Sequence, residues 1–292
     1  SIRTITSEFE HDLIKTKSSS QMKNAINKYG HLRPGTYEIT SEPYWKDPDK
    51  YLTTSLKTEK IEKKFTFTEK EKADISKIIN NLDKSINFDD FKKYLIRSIQ
   101  ERERVKFEFT KSISLSLDLI ENWGKKINIG IDDIKYLKYK NLIKFADHGD
   151  LNEIRKVIKQ NKENFIYTQI INLPDIIENE GDFHYFEINN AQPNFISNKK
   201  TISNSIYDLK NTSNLSNKII LIENADPGYD WLFNKGISGI ITKYGGANSH
   251  MAIRFAEIGI PAAIGVGEIL FDKLKSYNMI ELDCLNKVLR EA

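Results

Sequence analysis

One cysteine, Cys284, is all that the 292 residues contain. A single thiol excludes an internal disulfide and any metal site built on several thiolates. The polar opening SIRTITSEFEHD has no signal-peptide core. Both features point to a reducing, cytoplasmic setting. Long apolar runs are missing too, and none approaches the roughly twenty residues of a membrane span. Charge of one sign is not in excess: 44 Lys and Arg against 41 Asp and Glu leave a formal net charge of +3, which does not mark a nucleic-acid binder. No repeat of fixed period recurs. An initiator Met is also lacking, and so abrupt a start is expected of a piece of a longer protein.

The rest of the chain is that of a globular protein, with 39% hydrophobic and 29% charged residues and enough length for two cores. Its first half reads as helical. Residues 59–84 are charged with scattered apolar positions. Residues 87–109 form a clearer helix, in which Phe91, Leu95 and Ile99 recur at a spacing of four and are expected to share a core-facing side. The pattern continues over 110–123 with Ile113, Leu117 and Ile120, and Gly124 is a plausible stop. A further helix is expected over 150–160. From 182 to 217 the texture turns polar, with Gln192-Pro193-Asn194 and a Ser/Asn/Lys stretch, which reads as a linker or domain boundary. Apolar runs then alternate with helical ones. Strands are expected at 218–223, 239–242, 261–264 and 279–282. A turn is expected at Asp226-Pro227-Gly228, and helices at 229–234 and 250–258.

The chemistry concentrates in TKYGGANSHMAIRFAEIGIPAAIGVG, residues 242–267. A strand ends near Thr242. Gly245 and Gly246 permit tight backbone and close approach of a ligand, and Ser249 can cap the next helix. His250 then stands at a helix N-terminus, where free N–H groups and positive partial charge favour a phosphoryl group on the ring and disfavour the imidazolium. Arg254, one turn on, can also reach a phosphate. A lone histidine in such a place is more often a capping residue.

The whole pattern, however, resembles the mobile domain of phosphoenolpyruvate-utilising enzymes, at Thr242, Gly245, Gly246, Ser249, His250, Gly259, Ile260, Pro261 and Gly265. The resemblance covers about residues 190–292. It implies a swivelling β/β/α phosphohistidine domain that follows a mostly helical acceptor-binding domain at 1–189, an α+β multidomain arrangement. It also implies ATP and Mg2+ as cofactors, held by an ATP-grasp domain missing from these residues.

Upstream, YGHLRPGTYEITSEPYWKDP, Tyr29 to Pro48, resembles a segment of the acceptor domain of rifampin phosphotransferases. This chain departs from their pattern in having His-Leu-Arg-Pro-Gly. His31, Arg33 and Glu38 are the substrate-binding candidates there, against the alternative of a polar surface loop. On the 87–109 helix, Arg102 and Lys106 continue the apolar stripe. Two cations on a core-facing stripe are costly unless bound to an anion, so they are candidates to clamp a transferring phosphoryl group. Ion pairing with Glu101, Glu103 or Glu108 is the alternative. With ADPGYDWLF at 225–233, these segments are most similar to ATP-dependent L-glutamine kinases of bacterial capsule phosphoramidate synthesis. That similarity implies L-glutamine as the acceptor, with Glu38 or Glu103 as a base. Rifampin- or pyruvate-type dikinases and a non-enzymatic phosphocarrier are the competing classes. His11, His148 and His184 are isolated and share no metal-ligand spacing.

Overall fold

The computed structural model describes residues 5–54, 66–171, 173, 177–183, 192–207, 209, 212 and 214–292. His184, the 59–65 part of the charged stretch and residues 184–191 of the expected linker lie outside these. The architecture is mixed α and β. Among the described residues no helix is long and apolar enough to cross a membrane.

The chain divides into two compact units. The first comprises the described residues of Ser1–Leu32, Pro43–Ser114 and Asp230–Lys235. Its helices are α1 (Ile5–Lys15), α2 (Ser19–Tyr29), α3 (Glu69–Leu82) and the first part of α4 (Phe88–Lys126). Two capping boxes start helices here: Ser18 with Gln21 ahead of α2, and Thr68 with Glu71 ahead of α3. Each satisfies two otherwise orphaned N–H groups. Phe9 and Leu13 of α1 are buried with Tyr29 of α2, and the Phe9 and Tyr29 rings meet edge to face at 4.7 Å. Tyr44 stacks on Tyr51 at 4.6 Å, and Tyr51 meets buried Trp231 edge to face at 5.1 Å. The expected helix at 229–234 is instead a 3-10 segment, Pro227–Asn234. Lys235 follows it and donates from Nζ to the carbonyl and hydroxyl of Thr53 at 3.0 and 2.9 Å.

The side of α4 that turns inward is not the expected one. Leu95 and Ile99 are exposed, as are Arg102 and Lys106. The more covered row is Ile96, Gln100, Glu103, Phe107, Thr110 and Ser114. Its steps alternate four and three and so track the 3.6-residue turn.

The second unit comprises Arg33–Glu42, Leu115–Tyr229 and Gly236–Ala292, of which the described residues are discussed. Gly124 does not end α4, which continues to Lys126. It is a packing glycine: a Cβ there would overlap the Ile134 side chain. Below it, α5 (Tyr139–His148) and α6 (Leu151–Thr168) close a small core of Ile129, Ile134, Leu137, Phe145, Ile154 and Ile158.

The sheet of this unit has seven strands: β1 (Asn194–Ile196), β2 (Lys200–Ile206), β3 (Ile219–Asn224), β4 (Gly239–Tyr244), β5 (Ala262–Ile264), β6 (Met279–Asp283) and β7 (Val288–Glu291). Their spatial order is β1-β5-β4-β3-β2-β6-β7. Strands β2, β3, β4 and β5 run parallel, and β1, β6 and β7 pair antiparallel at the flanks. Four successive buried isoleucines and leucine open β3, as expected of a strand covered on both faces. Two helices, α7 (His250–Ile258) and α8 (Glu268–Lys275), complete the unit. The polar stretch read as a linker in fact supplies β1 and β2, and β2 alternates exposed and half-covered residues.

Candidate functional site

The candidate site is built at the end of β4. This strand lies between parallel partners β3 and β5, so its last residues emerge from the middle of the sheet. Thr242 is fully buried, and its hydroxyl accepts the Gly265 N–H at 3.0 Å. The Val266 and Gly267 N–H groups donate to the Thr242 and Lys243 carbonyls, both at 3.0 Å. Thr242 therefore braces two loops against each other.

Two glycines cross above it. Gly245 has φ +134° and Gly265 φ +71°, and a Cβ on Gly265 would overlap the Gly245 carbonyl oxygen. Both conditions demand glycine. Gly246 differs: a Cβ there would meet open space, and its carbonyl closes a turn by accepting the Ser249 N–H at 2.9 Å.

Ser249 is the cap of α7, in extended conformation, with its hydroxyl accepting from the Ala252 N–H at 3.2 Å. Met251, Ala252 and Phe255 anchor the helix in the core, and Gly259 ends it in the left-handed conformation. His250 is thus the first helical residue, half-buried at the rim of an exposed loop. An anion on its ring would lie at the positive end of a nine-residue helix. Arg254 is largely covered and donates to Glu257 at 2.8 Å, so its guanidinium is shared with a carboxylate of its own helix. Lys243 escaped the sequence reading, although it sits beside Thr242 in TKYGG. Burial works against its charge, but the Glu268 carboxylate at 2.7 Å outweighs this and holds the ammonium.

The acceptor candidates fall into different settings. Arg33, in the same unit as His250, is buried. Its guanidinium reaches Asp118 at 2.5 Å and the Ser41 carbonyl at 2.6 Å. It pins the 33–42 loop to α4, so the expectation of a substrate ligand meets a side chain already engaged in structure. Glu38 is exposed and accepts from the Thr40 N–H and hydroxyl at 3.1 and 2.8 Å.

In the first unit, Arg102 and Lys106 are solvent-exposed. The carboxylates considered as their partners are otherwise disposed: Glu101 pairs with Arg104 and Glu108 with Lys111, each at 2.8 Å. Neither cation lies on a buried stripe, so burial does not demand an anion beside them. What remains is two cations on a solvated helix face. Among the described residues no group of three or more His, Cys, Asp or Glu gathers as metal ligands.

His31 is half-buried in the first unit, with Nε2 3.1 Å from the Thr110 hydroxyl and its ring edge to face with Phe107 at 4.8 Å. Burial first, and then the Lys111 charge, lower its pKa from 6.5 to about 4. Because the folded value lies below the unfolded one, the neutral ring is the stabilising form. That stability is complete above pH 6.5 and drains as pH falls from 6.5 to about 4. After allowance for partial exposure the loss is on the order of 2 kcal/mol. Thermal unfolding should therefore fall more steeply across this window in the parent chain than in His31→Asn. Parallel pH profiles would remove the assignment.

Residues 215–287 match the family model for the PEP-utilising enzyme, mobile domain. The matched stretch runs from before β3 to the turn after β6 and contains the whole glycine loop and α7. It supports a phosphotransferase module of that type in this part of the chain. No curated protein matches the chain.

Proposed function

We propose that His250 carries a phosphoryl group and hands it to a small-molecule acceptor, with L-glutamine first among the candidates. The observation that carries this reading is a half-exposed histidine at the first position of a Ser-capped helix, on a glycine-built loop within the segment that matches the mobile domain.

In the first step a ring nitrogen of the neutral imidazole attacks phosphorus. The N–P bond forms, the bond to the donor's leaving group breaks, and the ring sheds a proton to solvent. In the second step the acceptor's nucleophilic atom attacks the same phosphorus. The N–P bond breaks, the imidazole recovers a proton, and the acceptor loses one. With ATP as donor and glutamine as acceptor, the group that reaches the ring is a pyrophosphoryl group and AMP leaves; water then cleaves its terminal P–O–P bond and releases phosphate before the remaining phosphoryl passes on, so that ATP, L-glutamine and water give L-glutamine phosphate, AMP and phosphate. ATP and its Mg2+ belong, in this proposal, to an ATP-grasp domain outside these residues, and no step is routed through a metal on this chain.

The residues described here have definable tasks. The N-terminus of α7 offsets the negative charge that arrives on His250. The crossed glycines keep the backbone low enough for a donor to approach. Arg102 and Lys106 are proposed to meet the transferring group from a solvated helix face, and their replacement by Ala should slow transfer more than it weakens acceptor binding.

The test is phosphorus NMR on the phosphorylated chain offered L-glutamine, pyruvate or rifampin in separate samples. Loss of the phosphohistidine signal with growth of a glutamine phosphate signal is expected in the first sample only. Transfer to pyruvate or rifampin instead would move the reading to those dikinase classes. Hydrolysis alone in all three would leave a phosphocarrier that is not itself an enzyme.

A further inference from the structure

The first unit holds a cleft for which the proposed phosphoryl transfer has no use. It lies between α1 and α2, has a volume of about 230 Å³ and is walled by Asp12, Lys15, Gln21, Asn24 and Lys28 over a floor of Ala25 and Tyr29. At the liquid volume of water, about 30 Å³ a molecule, such a space takes roughly seven waters or one organic molecule of similar bulk.

The two walls differ in what they offer. On one, the charges answer each other. Tyr29 is fully buried and donates its phenol to Asp12 at 2.7 Å, while Lys28 reaches Asp12 at 2.9 Å and Glu8 at 3.2 Å. Burial works against the Asp12 charge, but these two donors outweigh it and hold the carboxyl below its ordinary pKa.

The other wall presents donors. Lys15 donates to the His11 ring at 2.6 Å and meets no carboxylate among the described residues. Gln21 spends its carbonyl oxygen on the N–H groups of Lys17 and Ser18, at 2.8 and 3.1 Å, in the capping box of α2. That anchors the side chain and leaves its NH2 group without an acceptor. The Asn24 amide has no partner among the described residues. An ammonium and two NH2 groups lining one hollow match the oxygens of a carboxylate, and the floor of Ala25 and Tyr29 matches an apolar body. One cation without a carboxylate suits a single negative charge better than the nearly two of a phosphate. A zwitterion fits poorly, because its ammonium would stand beside Lys15 and Lys28.

We infer that the cleft between α1 and α2 binds a small aliphatic monocarboxylate, with Lys15, Gln21 and Asn24 on the carboxylate and Ala25 and Tyr29 beneath the alkyl chain. Binding there requires nothing of His250, and the ligand is not the acceptor of its phosphoryl group.

The experiment titrates sodium butyrate, inorganic phosphate and L-glutamine separately into the full chain and follows the side-chain amide signals of Gln21 and Asn24 by NMR. Butyrate should shift both saturably, with a Kd of about 1 mM. Phosphate and L-glutamine should act on these signals at least tenfold more weakly. Lys15→Met should weaken butyrate binding at least tenfold with little change in the unfolding midpoint, since the side chain is exposed. Asn24→Leu should weaken it severalfold by removing one donor. Lys126→Met, at an exposed lysine of α4, should leave it unchanged. Equal weakening in Lys126→Met would reduce the effect to general charge attraction and overturn the inference. So would the absence of a saturable shift with butyrate, or tighter binding of phosphate or L-glutamine at the same signals.

Discussion

His250→Ala is expected to stay folded and to lose phosphoryl loading completely, by at least a thousandfold. The two halves of this expectation have separate causes. Stability should change by less than about 1 kcal/mol, because the cap of α7 is Ser249 and its anchors are Met251, Ala252 and Phe255, none of which the substitution touches. Alanine is moreover the best helix former. Chemistry should vanish because no other group on the loop offers an uncharged nitrogen nucleophile, and covalent catalysis has no partial substitute for its nucleophile. With phosphoramidate as the chemical donor, the P–N bond of the reagent breaks as the ring N–P bond forms, and ammonia leaves. Acid-labile phosphate, located by peptide mass spectrometry, should sit at position 250 in the parent chain and be absent there in the variant. Comparable labile phosphate in a folded His250→Ala protein would end the proposal.

The second large effect is on architecture. Gly265→Ala should destabilise the second unit by roughly 2–4 kcal/mol, well beyond an ordinary surface substitution. Two penalties add. The residue sits at φ +71°, where a side chain costs about 1 kcal/mol. Its new Cβ would also overlap the Gly245 carbonyl, a backbone atom that cannot swing aside. Relief requires the loops after β4 and β5 to part, which breaks the bond from the Gly265 N–H to buried Thr242. The same movement displaces the start of α7, so loading of His250 should fall together with denaturant stability. Gly246→Ala is the control: its Cβ would meet open space, and stability should stay within about 0.5 kcal/mol. Equal losses in the two variants would refute the crossed-glycine account.

Much of this was legible in the chain because the deciding interactions are local. The helix His250–Ile258 is bounded by a serine before it and a glycine after it, and both ends act through residues within one turn. The run at 219–222 reads as a buried strand because apolar residues in succession leave no solvent face. The polar strands β1 and β2 were hidden for the opposite reason. Lys200–Ile206 is a strand only because β3 and β6 lie on either side of it, and β6 is more than seventy residues away. On α4 the misreading was geometric. Steps of four residues overshoot a turn by about 40° each, so Phe91, Leu95 and Ile99 spiral away from any fixed side. The row that stays inward needs alternating steps of four and three, and it was disguised by polar occupants.

The amino-acid sequence alone determined the reactive loop: a strand end, paired glycines, a serine cap, a histidine at the head of a helix, and a glycine to stop it. Short-range sterics and hydrogen bonds settle such a unit wherever it is placed. Tertiary structure decided which side chains remain at liberty. It drew Arg33 to Asp118 and Thr242 to Gly265, turned Arg102 and Lys106 toward water, and sealed an oxygen of Glu103 without a donor. Those outcomes depend on partners far away in the chain, and burial and pairing energies are set by neighbours in space, which no local pattern encodes.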